Sequence, residues 1–122
     1  MAKRILVADD QPAARELLRA VLSGSGYEVV EAADGAEALD RASESEPDLI
    51  LLDIHMPRRD GFSACAELRL DPRFAGLPIV AMTAGLMGGE RERALASGFT
   101  EFLSKPVSMA TLRGIVAQLL DS

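Results

Sequence analysis

Five residues have the types and the placement to do chemistry together. Asp9 and Asp10 follow the apolar run Ile5–Ala8, and Asp53 closes the run Leu49–Leu52. Thr83 follows Ile79–Met82, and Lys105 comes just after Thr100–Leu103, immediately before Pro106. His55 and Gly85 lie two positions beyond Asp53 and Thr83. Three carboxylates brought together repel one another and raise one another's pKa. A hard divalent cation offsets that cost, and Mg2+ typically takes a few carboxylates plus waters and phosphate oxygens. Lys105 adds a compact positive charge suited to a phosphoryl oxygen, and Thr83 adds a hydroxyl donor. A carboxylate nucleophile, a metal, an ammonium and a hydroxyl make up the set for aspartyl-phosphate chemistry.

Taken singly, each residue has a plainer reading. Asp9 and Asp10 could be an N-cap pair ahead of Pro12, Asp53 a solvated loop carboxylate, Thr83 an ordinary strand-end threonine and Lys105 a surface charge. His55 reads as a loop histidine rather than a side-chain metal ligand. Cys65 and the methionines read as packing residues. What favours chemistry is the joint pattern, with all of the polar residues at strand ends.

The elements that must position them alternate along the chain. Ile5–Ala8 reads as a buried strand, and Pro12 opens a helix with the stripe Ala14, Leu17, Leu18, Val21 and Leu22, ended by Gly24 and Gly26. Glu28–Ala32 is a second strand, and Asp34-Gly35 turns into a helix carrying Ala38, Leu39 and Ala42. Leu49–Leu52, a continuous apolar run, is typical of a central parallel strand covered on both faces. Pro57 and Gly61 mark a loop before a helix with Phe62, Cys65 and Leu68. Ile79–Met82 is the fourth strand, Glu90–Ser97 a polar helix and Thr100–Leu103 a weak fifth strand. The last helix carries Met109, Leu112, Ile115, Val116, Leu119 and Leu120. Five strands alternating with five helices imply an α/β fold: a doubly wound parallel sheet in a three-layer sandwich, with right-handed crossovers. Function then belongs at the carboxyl ends of the strands.

Composition narrows the classes. The 122 residues fit one domain spanning 1–122, 48% of them apolar and 26% charged. A net charge of -6 argues against direct nucleic-acid binding. The lone Cys65 has no internal disulfide partner, which fits a reducing cytoplasm. Ile5–Ala8 is too short for a signal-peptide core or a membrane span, so no membrane insertion is expected.

The motifs Ile5-Leu6-Val7-Ala8-Asp9-Asp10, Asp48-Leu49-Ile50-Leu51-Leu52-Asp53 with Met56-Pro57 and Asp60-Gly61, Met82-Thr83-Ala84, and Lys105-Pro106 resemble the receiver domains of two-component response regulators, the CheY-like superfamily. The resemblance covers essentially the whole chain and implies the flavodoxin-like strand order 2-1-3-4-5. It implies Asp53 as phosphoacceptor, and Asp10, Asp53 and the His55 main-chain carbonyl as direct Mg2+ ligands. It further implies Asp9 as a ligand through water, Thr83 and Lys105 as the pair that senses the phosphoryl group, and Phe102 as the aromatic switch residue. A cis Lys105–Pro106 bond goes with it. His55 and Gly85 occupy positions that vary among receivers and border the path of a hydrolytic water, leaving the phosphoryl lifetime open.

The implied role is a regulator rather than an enzyme. Its phosphoryl group comes from a histidine kinase or histidine phosphotransfer protein, and it acts on a downstream protein through the fourth helix, fifth strand and fifth helix. The glycine-rich segment Gly85-Leu86-Met87-Gly88-Gly89 would link Thr83 to that face. Residues 81–106 also resemble single-domain regulators of the DivK type, and equally receivers attached to hybrid histidine kinases. The chain ends directly after the last helix, so either a stand-alone regulator or a receiver portion of a larger protein is expected. A haloacid-dehalogenase-like phosphohydrolase would carry a second aspartate where His55 stands. A flavodoxin-like FMN carrier would face repulsion of its phosphate by Asp9 and Asp10.

Overall fold

In the computed structural model, which describes residues 2–85 and 89–121, the chain alternates strand and helix throughout. The strands are β1 (Arg4–Ala8), β2 (Glu28–Ala32), β3 (Leu49–Asp53), β4 (Ile79–Thr83) and β5 (Glu101–Ser104). The helices are α1 (Pro12–Gly24), α2 (Gly35–Ser45), α3 (Gly61–Leu70), α4 (Glu90–Ser97) and α5 (Met109–Asp121). All pairings are parallel and the sheet order is β2-β1-β3-β4-β5. This is the doubly wound parallel sheet that the alternation implies, in the flavodoxin-like order that the receiver resemblance implies.

Strand alternation sorts the core into two layers. Leu6, Ile50, Leu52 and Ala81 point to one face, where they meet Ala38 of α2, Cys65 of α3 and Ala94 of α4. Ile5, Leu49, Leu51 and Met82 point to the other and meet Leu18 of α1 and Leu112 and Val116 of α5. Every residue of β3 and β4 is buried, as expected of strands with helices on both sides.

Local chemistry sets the helix starts. Asp34 accepts the Glu37 N–H at 2.8 Å to cap α2, and Asp60 accepts the Ser63 N–H at 2.9 Å to cap α3. Pro12 opens α1, whose N-cap is Gln11 with no side-chain cap bond. Asp9 and Asp10 are therefore not the N-cap pair of α1. Asp9 instead accepts the Gln11 N–H at 2.9 Å on its own Oδ1.

Several boundaries and exposures depart from expectation. β3 and β4 each run one residue further, taking in Asp53 and Thr83, because the parallel register continues through Asp53↔Met82 and Thr83↔Ser104. β5 is displaced to Glu101–Ser104, and Thr100 bridges instead, its N–H to the Ile79 carbonyl and its Oγ1 taking the Ile79 N–H. Leu17 does not belong to the buried stripe of α1. It is 54% exposed, since one residue before Leu18 lies a hundred-degree step around the helix, off the sheet face. A 3-10 turn at Pro72–Phe74, absent from the pattern-based reading, forms where Asp71 accepts the Arg73 N–H at 3.0 Å.

Candidate functional site

Parallel pairing of β1, β3, β4 and β5 brings their carboxyl ends to one edge of the sheet. Asp9 sits one residue beyond β1, fully buried, its main-chain N–H donated to the Ala32 carbonyl at 3.1 Å. Asp53 ends β3, 4% exposed, and its Oδ1 accepts the His55 N–H at 3.1 Å. Lys105 follows β5, with a cis bond to Pro106. Its Nζ reaches back into the pocket, donating to Asp9 Oδ2 at 2.8 Å and Asp53 Oδ2 at 3.0 Å. Asp10 is exposed, yet the carboxylates of Asp9, Asp10 and Asp53 offer oxygens that all lie within 4.8 Å of one another.

The close approach of α3 depends on Gly61. A Cβ there would fall 2.5 Å from the Asp53 main-chain oxygen, so only glycine lets the α3 N-terminus sit against the end of β3.

Electrostatics follow from this crowding. Burial pushes the Asp53 carboxyl above its ordinary value, Lys105 pulls it back incompletely by hydrogen bond and charge, and the Asp9 charge adds to the rise. Burial opposes the Lys105 charge, but its hydrogen bonds to Asp9 and Asp53 outweigh that and hold the ammonium above its usual value. Three hard oxygen donors converge with one ammonium across two of them, and the third, Asp10, faces the opening. That donor set fits a hard divalent cation.

The other expected residues fall into two groups. Thr83 is buried at the end of β4, next to the pocket in the sheet, with its hydroxyl engaged by Gly85: it donates to the Gly85 carbonyl at 3.0 Å and accepts the Gly85 N–H at 3.2 Å. The Lys105 N–H donates to the Thr83 carbonyl at 2.7 Å, joining the two strand ends through the main chain. The His55 side chain points outward, its Nε2 3.7 Å from Glu90 Oε2. Phe102 is half-buried against the α2–α4 layer, with the Arg91 guanidinium 5.1 Å above its ring. Residues 86–88 of the glycine-rich segment lie outside the described residues.

Residues 5–117 match the family model of the response regulator receiver domain. The chain belongs to that family. This receiver domain is 44% identical over 119 residues to the response regulator PleD of Caulobacter vibrioides, a match covering 98% of the chain but 26% of PleD. It thus spans about a quarter of that relative. Against the polar-differentiation response regulator DivK of Brucella ovis it is 37% identical over 109 residues, 89% of each protein. It superposes with a TM-score of 0.92 and 34% identity on the receiver domain of sensor histidine kinase PA1611 from Pseudomonas aeruginosa, covering all of both chains. That structure carries a magnesium ion coordinated in its active site cleft.

Some supporting residues of this receiver domain escape pattern reading. Arg15 donates from Nη1 to the Asp9 main-chain oxygen at 2.7 Å, and Arg91 covers Phe102. The available signal for Arg15 was Glu31, a half-buried charge in β2 between Val30 and Ala32, which needs a partner of opposite sign.

Proposed function

We propose that this receiver domain accepts a phosphoryl group on Asp53 in a Mg2+-dependent transfer and thereby controls a downstream protein. The observation that carries this is the convergence of the Asp9, Asp10 and Asp53 carboxylates within 4.8 Å, with the Lys105 ammonium 3.0 Å from Asp53. An Asp53 oxygen attacks phosphorus while the P–N bond to a phosphohistidine breaks, and the imidazole, already protonated on its other ring nitrogen, keeps that electron pair and leaves neutral. Lys105 is already placed against the nucleophilic carboxylate and balances charge as the phosphoryl group arrives. Asp10, Asp53 and the His55 main-chain carbonyl would hold Mg2+ directly and Asp9 through water, and the bound metal would neutralise phosphoryl oxygens.

The donor is a phosphohistidine on a histidine kinase or histidine phosphotransfer protein. Beside the pocket runs an apolar groove of about 440 Å³ lined by Ala14, Leu17, Leu18, Pro106, Val107 and Met109. Its continuity with Asp9 and Lys105 favours a donor that presents an apolar surface beside its phosphohistidine. Output proceeds through α4, β5 and α5. A phosphoryl oxygen competes with Gly85 for the Thr83 hydroxyl, and Phe102, one strand away, follows. The setting is the cytoplasm, and the net charge of -6 disfavours direct nucleic-acid contact. The same reading holds for a stand-alone regulator and for a receiver within a longer protein. Receiver membership displaces the phosphohydrolase and flavin-carrier alternatives.

The test uses acetyl phosphate with Mg2+ and intact-mass analysis. One phosphoryl group is expected on the wild type, with none on Asp53→Asn and none in EDTA. Labelling that survives Asp53→Asn overturns the assignment.

A further inference from the structure

The three carboxylates of the pocket are not held equally. Both Asp9 oxygens have donors, Gln11 N–H at 2.9 Å and Lys105 at 2.8 Å, and so do both Asp53 oxygens, His55 N–H at 3.1 Å and Lys105 at 3.0 Å. Among the described residues no hydrogen bond reaches the exposed Asp10 carboxylate. Its place is inherited from the main chain.

That main chain is pinned by Arg15. The Asp9 carbonyl, which accepts Arg15 Nη1 at 2.7 Å, belongs to the peptide unit joining Asp9 to Asp10. The unit is planar, so fixing its oxygen fixes the direction in which the Asp10 Cα leaves. Arg15 is braced in turn: its Nε donates to Glu31 Oε1 at 3.3 Å, and Arg19 holds the other Glu31 oxygen at 2.7 Å. The Arg15 side chain is only 17% exposed, so the guanidinium is confined rather than solvated. A relay from β2 through α1 thus ends on the peptide that aims Asp10.

We infer that Arg15, braced by Glu31, is a positioning residue that sets the Asp10 carboxylate for Mg2+; this rests on the reading of the site given above. The sign of the effect separates positioning from charge. By Coulomb's law alone, removing a cation near an acidic site strengthens Mg2+ binding. Loss of positioning weakens it.

The experiment titrates the full chain with MgCl2 by calorimetry and records melting curves in EDTA. Arg15→Gln is expected to raise the Mg2+ Kd about tenfold, the lower end of the range for partners that orient metal ligands. Arg15→Lys keeps the charge but loses the planar fork that spans Glu31 and the carbonyl, so it is expected to weaken binding as well. It also serves if Arg15→Gln fails to fold. An unchanged or tighter Kd in a folded variant whose melting temperature has fallen makes Arg15 merely stabilising and overturns the inference. A wild type that does not bind Mg2+ at all overturns the underlying site reading instead, so the two failures are distinguishable.

Discussion

α4 and α5 pack on opposite faces of the sheet and are held by different forces. α5 buries Leu112 and Val116 completely and packs Met109, Ile115, Leu119 and Leu120 partly into the layer beneath β1, β3 and β4. α4 buries only Ala94, and its one large apolar residue, Leu95, is 53% exposed. Much of what ties α4 down is charge against ring: Arg93 lies 4.2 Å above Phe62 and 3.8 Å from Asp60, and Arg91 lies above Phe102. Such contacts are worth about 0.5–1 kcal/mol each at exposed sites, against about 1.5–3 kcal/mol for burying one large aliphatic side chain. The chemical pocket therefore rests on a heavily packed frame, while the helix beside Phe102 is the lightly fastened part. A ligand with a few kcal/mol of preference can shift the second but not the first.

The comparison breaks most easily at α5. Leu112→Ala should cost about 2–5 kcal/mol, the range for a fully buried leucine, read by urea unfolding. Arg93→Ala and Arg91→Ala should each cost about 0.5–1 kcal/mol by the same measurement. An Arg93→Ala loss equal to that of Leu112→Ala would mean that α4 is not lightly held.

The pocket itself should respond to metal and to charge. Mg2+ at a hundred times its Kd should add about 2.7 kcal/mol by mass action, visible as a higher melting temperature than in EDTA. Equal melting with and without Mg2+ would remove the metal site from the account. Without metal, Asp53→Asn should stabilise the protein by about 0.5–2 kcal/mol, as relief at strained functional sites commonly does. The sign follows from burial: Asp53 titrates above its ordinary 3.8 in the folded protein, so folding favours its protonated form. Its contribution is greatest at pH below 3.8 and is lost as pH rises through the folded value, leaving the ionised form unfavourable at neutral pH. Asp53→Asn removes that part of the pH dependence.

The smallest effect should be at Cys65. Burial lifts its thiol to about 11, so at pH 8 it is a shielded neutral thiol. Alkylation by iodoacetamide should follow global unfolding, whereas the α4 amides should exchange with solvent by a cheaper local opening. Fast labelling of the native protein would show that the layer under α3 opens as readily as α4.

How much was legible in the sequence differs by scale. β2 and α4 match their expected bounds, because Glu28–Ala32 and Glu90–Ser97 are each bracketed by glycine or charge, and the strand order followed once the motifs had shown the family resemblance. Asp9, Asp10, Asp53, Thr83 and Lys105 stood out because polar residues at the ends of apolar runs conflict with core packing unless they serve a site. Leu17 was misplaced because its residue type matches the stripe while its helical angle does not.

What the tertiary structure decided is everything that joins residues distant in sequence. Apolar periodicity and turn chemistry are local properties, and they were enough to determine the elements and to mark the strand-end residues. The bond from Lys105 to both Asp9 and Asp53 and the Arg91 cover over Phe102 depend on side-chain angles and on which helix packs where. The Glu31–Arg15 brace on the Asp9–Asp10 peptide is of the same kind. Residue types alone show only that partners of opposite charge exist. Packing, which allows each buried group one geometry, decides which partners meet.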